Sequence, residues 1–154
     1  MAATPLENYI REQQMSLQWL PFLRALAAEL SEQTDAETLR SLFASVGQRC
    51  ALEAREAFED VSTLGALTSS LNDFLAHIHW GFVEITEVPG GVAIDHHAAP
   101  LAEAFGDDAL HWSIGFLEGF YQSLFGQLGA APSMRVHALD EDCEAMLLRF
   151  QFGR

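Results

Sequence analysis

Lysine is missing from this 154-residue chain; its eight basic residues are all arginine, set against 22 aspartates and glutamates. The formal net charge is −14. No arginine falls between Arg55 and Arg135, a stretch that carries eleven carboxylates. A nucleic-acid backbone is bound by clustered cations that displace its counterions, and an anionic lipid surface needs the same clusters. The charge disfavours both as direct partners and fits a neutral partner or a basic protein better. Cysteine is scarce too. Cys50 and Cys143 stand alone, with no CxxC pair, so neither a disulfide framework nor a zinc knuckle is encoded. No apolar run approaches the length of a membrane span, and "MAATPLENYIREQQ" has charges where a secretory signal has a hydrophobic stretch. The expectation is a soluble protein on the cytoplasmic side. Sequences of the GxSxG, GxGxxG and P-loop types do not occur.

What the chain does have is apolar bulk. Eleven Phe and three Trp in a chain of this length supply a core for one compact domain. Thr4-Pro5-Leu6-Glu7 reads as a helix start, with an N-cap, a first-turn proline and a capping-box glutamate. "LQWLPFLRALAAEL" is a helix interrupted or restarted at Pro21. Thr34-Asp35 caps the next helix, whose Leu39, Leu42, Phe43, Val46 and Cys50 follow at spacings of three and four as one buried stripe. Ser62-Thr63 caps another, with Leu64, Leu67, Leu71, Phe74, Leu75 and Ile78 on its apolar face.

After Trp80-Gly81 the period changes to two. "FVEITEV" and "VAIDHH" flank Pro89-Gly90-Gly91, a hairpin signal. Gly90-Gly91 as the loop sets Ile85 opposite His96 and Glu84 opposite His97, with Val83, Ile85, Val92 and Ile94 on the inner face. "APLAEAFGDDALH" reads as a loop with at most one helical turn. "WSIGFLEGFYQSLFGQLG" is a helix that ends at Gly126 or Gly129, and "MRVHAL" and "AMLLRFQF" are strands around an acidic turn. The fold expected is α+β: N-terminal helices packed on a small antiparallel sheet of two hairpins separated by a long helix. Residues 1–20 are read as an N-terminal arm and 21–154 as a single domain.

The histidines invite a metal site and do not make one. His96 and His97 are strand neighbours and point to opposite faces. His77 and His79 are about 200° apart on a helix, and no pair has the spacing that puts two ligands on one helix face. His77 and His79 instead suit a helix C-terminus, His97 pairs across strands with Glu84, and His96 is a hydrogen-bonded core histidine. Cys50 lies on an apolar stripe, as an inert thiol does. No catalytic, cofactor-binding or metal-ligating residue is assigned.

The long helix is unusual. Phe116, Leu117, Phe120, Tyr121, Leu124, Phe125 and Leu128 form a broad apolar face, and Gly115, Gly119 and Gly126 cost helix stability while permitting close approach. That face belongs either to the domain's own core or, in part, to a subunit interface.

"LNDFLAHIHWGFVEI" and, further on, "WSIGFLEGFYQSLFG" resemble the D subunit of bacterial cellulose synthase, as do the helix ending "SVGQRCA" and the overall length. The resemblance implies a non-catalytic accessory protein of cellulose synthesis. It would be a ring-like homo-oligomer, an octamer built as a tetramer of dimers, that organises synthase complexes or guides glucan chains for export and crystallisation. Association with the cellulose synthase complex near the inner membrane, a proline-rich accessory partner and contact with β-1,4-glucan are implied as well, and the periplasm stays open. The chain-lining surface would be the segment from Thr4 to Trp19. There Tyr9, Trp19, Gln13, Gln14 and Gln18 offer the aromatic faces and hydrogen-bonding groups a neutral glucan needs; an ordinary amphipathic arm reads equally well. A looser likeness, in the "WGxVxI" and "GFxxGxxxxLxG" patterns, runs to the vinyl-reductase-like and haem-NO-binding fold group. It implies the alternative of a small-molecule sensor or binding module with an enclosed apolar pocket.

Overall fold

A computed structural model describes residues 3–154; Met1 and Ala2, the start of the expected arm, lie outside the described residues. Four helices lead: α1 (Pro5–Gln14), α2 (Leu20–Gln33), α3 (Ala36–Glu53) and α4 (Leu64–Ile78). A hairpin of β1 (Phe82–Val88) and β2 (Gly91–His97) follows, then α5 (Leu101–Phe105), α6 (Leu110–Ser113) and α7 (Gly115–Gln127), and finally β3 (Arg135–Ala138) and β4 (Leu147–Gly153). The sheet is antiparallel in the order β1-β2-β4-β3. The α+β expectation holds.

The helix starts are written locally. Thr4 accepts from the Glu7 amide and the Glu7 carboxylate accepts from the Thr4 amide, a complete capping box with Pro5 in the first turn. Asp35 caps α3 through the Thr38 amide, and Thr63 caps α4 through the Ala66 amide. The Thr38 amide hydrogen bond holds the Asp35 carboxyl below its ordinary range. His79 ends α4 in the left-handed region at φ 59°, with His77 in its last turn.

Alternate residues of the strands build the inner sheet face. Val83, Ile94, His96, Leu148, Phe150 and Phe152 are all buried there. From α7, Tyr121 packs on Phe150 at 5.4 Å between ring centroids and Phe125 stacks on Phe152 at 4.3 Å. Leu67, Leu71 and Leu75 of α4 complete this core. A second, small core of Ala27, Leu39, Ala109 and Trp112 lies under α2.

Four expectations need correction. The stripe on α3 is rotated: Leu42 and Val46 are exposed, while Leu39, Gly47 and Ala51 are buried. The buried face is the one that allows α7 to come close, and small residues mark it. The hairpin register differs by two: Ile85 pairs with Ile94, Glu84 with Asp95 and Phe82 with His97. The loop is Pro89-Gly90, with Gly90 at φ +83°, the proline-then-glycine pattern of a type II turn. Gly91 is a strand residue; a Cβ there would run into the Phe152 carbonyl oxygen, so β4 leaves no room for a side chain. A slip by two keeps every side chain on its face, so the predicted inner set survives. The stretch 99–111 is mostly helical, in α5, a 3₁₀ turn at Asp107–Ala109 and the start of α6, rather than a loop. The helix expected from Trp112 is divided at Ile114 into α6 and α7, and α7 stops at Gln127 with Gly129 at φ +92° beyond it.

Helix side chains meet each sheet edge at one or two residues. Asn72 of α4 brackets Val83 of β1, accepting from its amide at 2.7 Å and donating to its carbonyl at 3.1 Å. On the opposite edge, Glu118 and Gln122 of α7 accept from the amides of Ala138 and Val136.

Candidate functional site

The glycines of α7 serve the chain's own packing. A Cβ on Gly119 would overlap the Ala44 carbonyl oxygen, one on Gly115 that of Arg40, and one on Gly47 that of Phe116. α3 and α7 therefore meet backbone to backbone, and the notch is filled within the molecule. Of the three α7 glycines, Gly126 alone faces open space. Of the two readings of this helix, the core reading accounts for Gly115 and Gly119.

Exposed apolar side chains lie elsewhere, mainly on α1 to α3 and the link between α1 and α2. Among the described residues Leu6, Tyr9, Leu17, Trp19, Phe22, Leu26, Leu42 and Val46 are large hydrophobics open to solvent, with Leu17 at 85% and Trp19 and Phe22 above half. α2 explains why. Its apolar arc is broad: Ala27 turns into the small core with Leu30 packed against it, while Trp19, Phe22 and Leu26, at spacings of three and four, stay in water. Trp19 and Phe22 touch edge to face at 5.7 Å. Contiguous exposed apolar patches in general mark interaction sites.

A second feature is a cleft of about 370 Å³ between α3, α4 and α7. Cys50, Ala54, Phe74, Ile78, Trp80, Phe116 and Phe120 are among its lining. Burial pushes the Cys50 thiol up, with Glu53 adding to it. Neither His77 nor His79 lines the cleft.

The remaining histidines occupy separate places. His96 is fully buried: its Nε2 lies 2.7 Å from the Trp80 carbonyl oxygen and its Nδ1 meets the Tyr121 hydroxyl. A carbonyl only accepts, so Nε2 carries the proton and Tyr121 donates to Nδ1. Burial pushes the imidazole down to about 4 and the Tyr121 phenol well up. His97 lies on the outer face, with Nε2 2.8 Å from Glu84 and its ring stacked on Phe82 at 4.7 Å. The His97–Glu84 pair is diagonal in the true register rather than directly opposite. His111 and His137 sit on other elements, and no group of three or more His, Cys, Asp or Glu among the described residues is placed to hold a metal ion. Of the five residues suggested for glucan contact, Tyr9, Gln13, Gln18 and Trp19 are exposed, but Gln14 is engaged: its amide donates to the carbonyls of Ala98 and His79. The tertiary partners of His96 and Gln14 are remote in sequence and carry no local signal.

The family of the cellulose synthase D subunit matches residues 5–151. The chain belongs to that family. No curated protein sequence matches it. Membership places the chain in bacterial cellulose synthesis, in association with the cellulose synthase complex. No helix among the described residues is long and apolar enough to cross a membrane.

Proposed function

We propose that this member of the family is a non-catalytic accessory protein that works by assembling with copies of itself, as a ring-like octamer, and so arranges synthase complexes or guides the chains they export. The observation that carries the reading is the outward apolar row of Phe22 and Leu26 on α2, continued by its N-cap Trp19, next to a core the same helix already completes. Burying a side chain of this size is worth about 1.5–3 kcal/mol, and several together, repeated by symmetry, suffice for a stable oligomer.

In this reading residues 1–20 are an arm and 21–154 the assembling domain, which is supported by α1 having no buried residue. Glucan contact falls to Tyr9, Gln13 and Gln18, the exposed arm residues outside that row. The protein acts on the cytoplasmic side, where a proline-rich accessory protein would meet aromatic surface. The test is mass in solution. Light scattering is expected to give an assembly larger than a dimer, and Phe22→Glu with Leu26→Glu to give a smaller, folded species. A wild-type monomer at micromolar concentration overturns the reading. Loss of the protein is expected to lower cellulose order while synthase turnover in isolated membranes persists.

A further inference from the structure

α1 is held to the body by polar groups. None of its ten residues is buried, and Leu6 and Tyr9 are exposed. Arg11 supplies the main attachment: Nε donates to Glu103 at 3.0 Å and Nη2 to Asp107 at 2.8 Å, so one guanidinium spans α5 and the turn after it. One turn on, Gln14 donates to the Ala98 and His79 carbonyls. Its own carbonyl oxygen is buried without a partner, an unfavourable state that undocking relieves.

The receiving side is arranged to survive release. Glu103 also receives Arg24 of α2, at 3.4 Å on its carboxylate and at 3.0–3.1 Å on its main-chain oxygen. Removing Arg11 therefore leaves no unpaired buried charge. Asp107 is 67% exposed and returns to water at little cost. Arg11 is the only arginine on α1, and the chain has eight in all against 22 carboxylates, so no neighbouring cation on the helix can substitute for it.

We propose that α1 is a releasable strap whose docked fraction is set by the Arg11 latch on Glu103 and Asp107, and hence by ionic strength. A helix of ten residues is marginal in water by itself, so the released strap melts and its amides exchange. Hydrogen exchange on the full-length protein reads this directly. Raising salt from about 0.1 M to about 1 M shortens the screening length from about 10 Å to about 3 Å. Salt acts mainly on the exposed Asp107 arm of the latch, because Arg11 and Glu103 are only 15% and 16% exposed and are screened much less, so α1 amides should exchange several-fold faster while α7 amides change little. Arg11→Ala should exchange fast at both salt levels. Arg11→Lys keeps the charge but cannot span both carboxylates, and should fall between. Three results would overturn the proposal: α1 protection indifferent to salt and to Arg11→Ala; α1 and α7 losing protection together; or protection that follows protein dilution instead, which would make the strap an intersubunit contact.

Discussion

Arg40 of α3 grips Glu118 of α7 with two hydrogen bonds, Nε to Oε1 at 2.7 Å and Nη2 to Oε2 at 3.0 Å. The same guanidinium reaches Asp140 and the His111 carbonyl, and the same carboxylate accepts the Ala138 amide of β3. One ion pair thus ties the helix pair, the turn after β3 and the edge of the sheet. Glu118 is the first cause of the rise in the Arg40 pKa. Arg40→Lys, which keeps charge but loses the fork, is expected to cost about 1.5–3 kcal/mol in urea unfolding. A variant as stable as wild type would show the network to be incidental.

The glycine contacts give a paired prediction. Gly119→Ala drives a methyl into the Ala44 backbone, where no side chain can yield, so α3 and α7 must separate. Overpacking of this kind costs about 1–3 kcal/mol or more. Gly126→Ala meets nothing within 4 Å and is expected to stabilise by up to about 1 kcal/mol through helix propensity. Thermal melts of the two variants should move in opposite directions.

These glycines also show why the sequence was legible only in part. Capping is written within four residues, so Thr4-Glu7, Asp35 and Thr63 could be read directly. The apolar period placed α4 and the inner strand faces correctly. On α3 it placed Leu39, Phe43 and Cys50 correctly but not Leu42 and Val46, because the face against α7 is marked by Ala44, Gly47 and Ala51, which a hydrophobic pattern passes over. The hairpin slipped by two because Gly91 resembles a turn residue but is small for the sake of β4. α5 and α6 were hidden by Pro100 and Gly106, which end helices in general; here Pro100 is the N-cap of α5 and Gly106 separates α5 from the 3₁₀ turn. For α7 the sequence left core and interface both open, and the exposed apolar row is on α2, since a single sequence does not say which of two apolar helices its own fold will cover.

Tyr121→Phe removes the donor to His96 Nδ1 without changing shape. An unsatisfied buried acceptor costs about 1–3 kcal/mol, and Tyr121 is fully buried, so water cannot easily replace it. Chemical denaturation should place the variant in that range with an unchanged dependence on denaturant. Stability equal to wild type would mean that His96 does not use the hydroxyl.

His96 also predicts an acid limit on the fold. Desolvation is the first cause that lowers its pKa, to about 4, while the ordinary value applies in the unfolded chain, 6.5. Above pH 6.5 the imidazole is neutral in both states and its contribution is fully present. As pH falls from 6.5 towards 4 the unfolded chain takes up a proton that the native site refuses, so stability is lost through that window. The shift corresponds to about 3 kcal/mol by pH 4. Carboxylates add their own loss lower down, so the His96 part is isolated by following its ring in the native protein. Its carbon-bound proton resonances should not move between about pH 7 and about pH 5, because Nε2 keeps its bond to Trp80 and no counter-ion faces Nδ1. An imidazole that titrates near 6.5 in the folded protein would show the pocket to be wet, and the Trp80–His96–Tyr121 chain would then not be what joins the end of α4 to the sheet and α7.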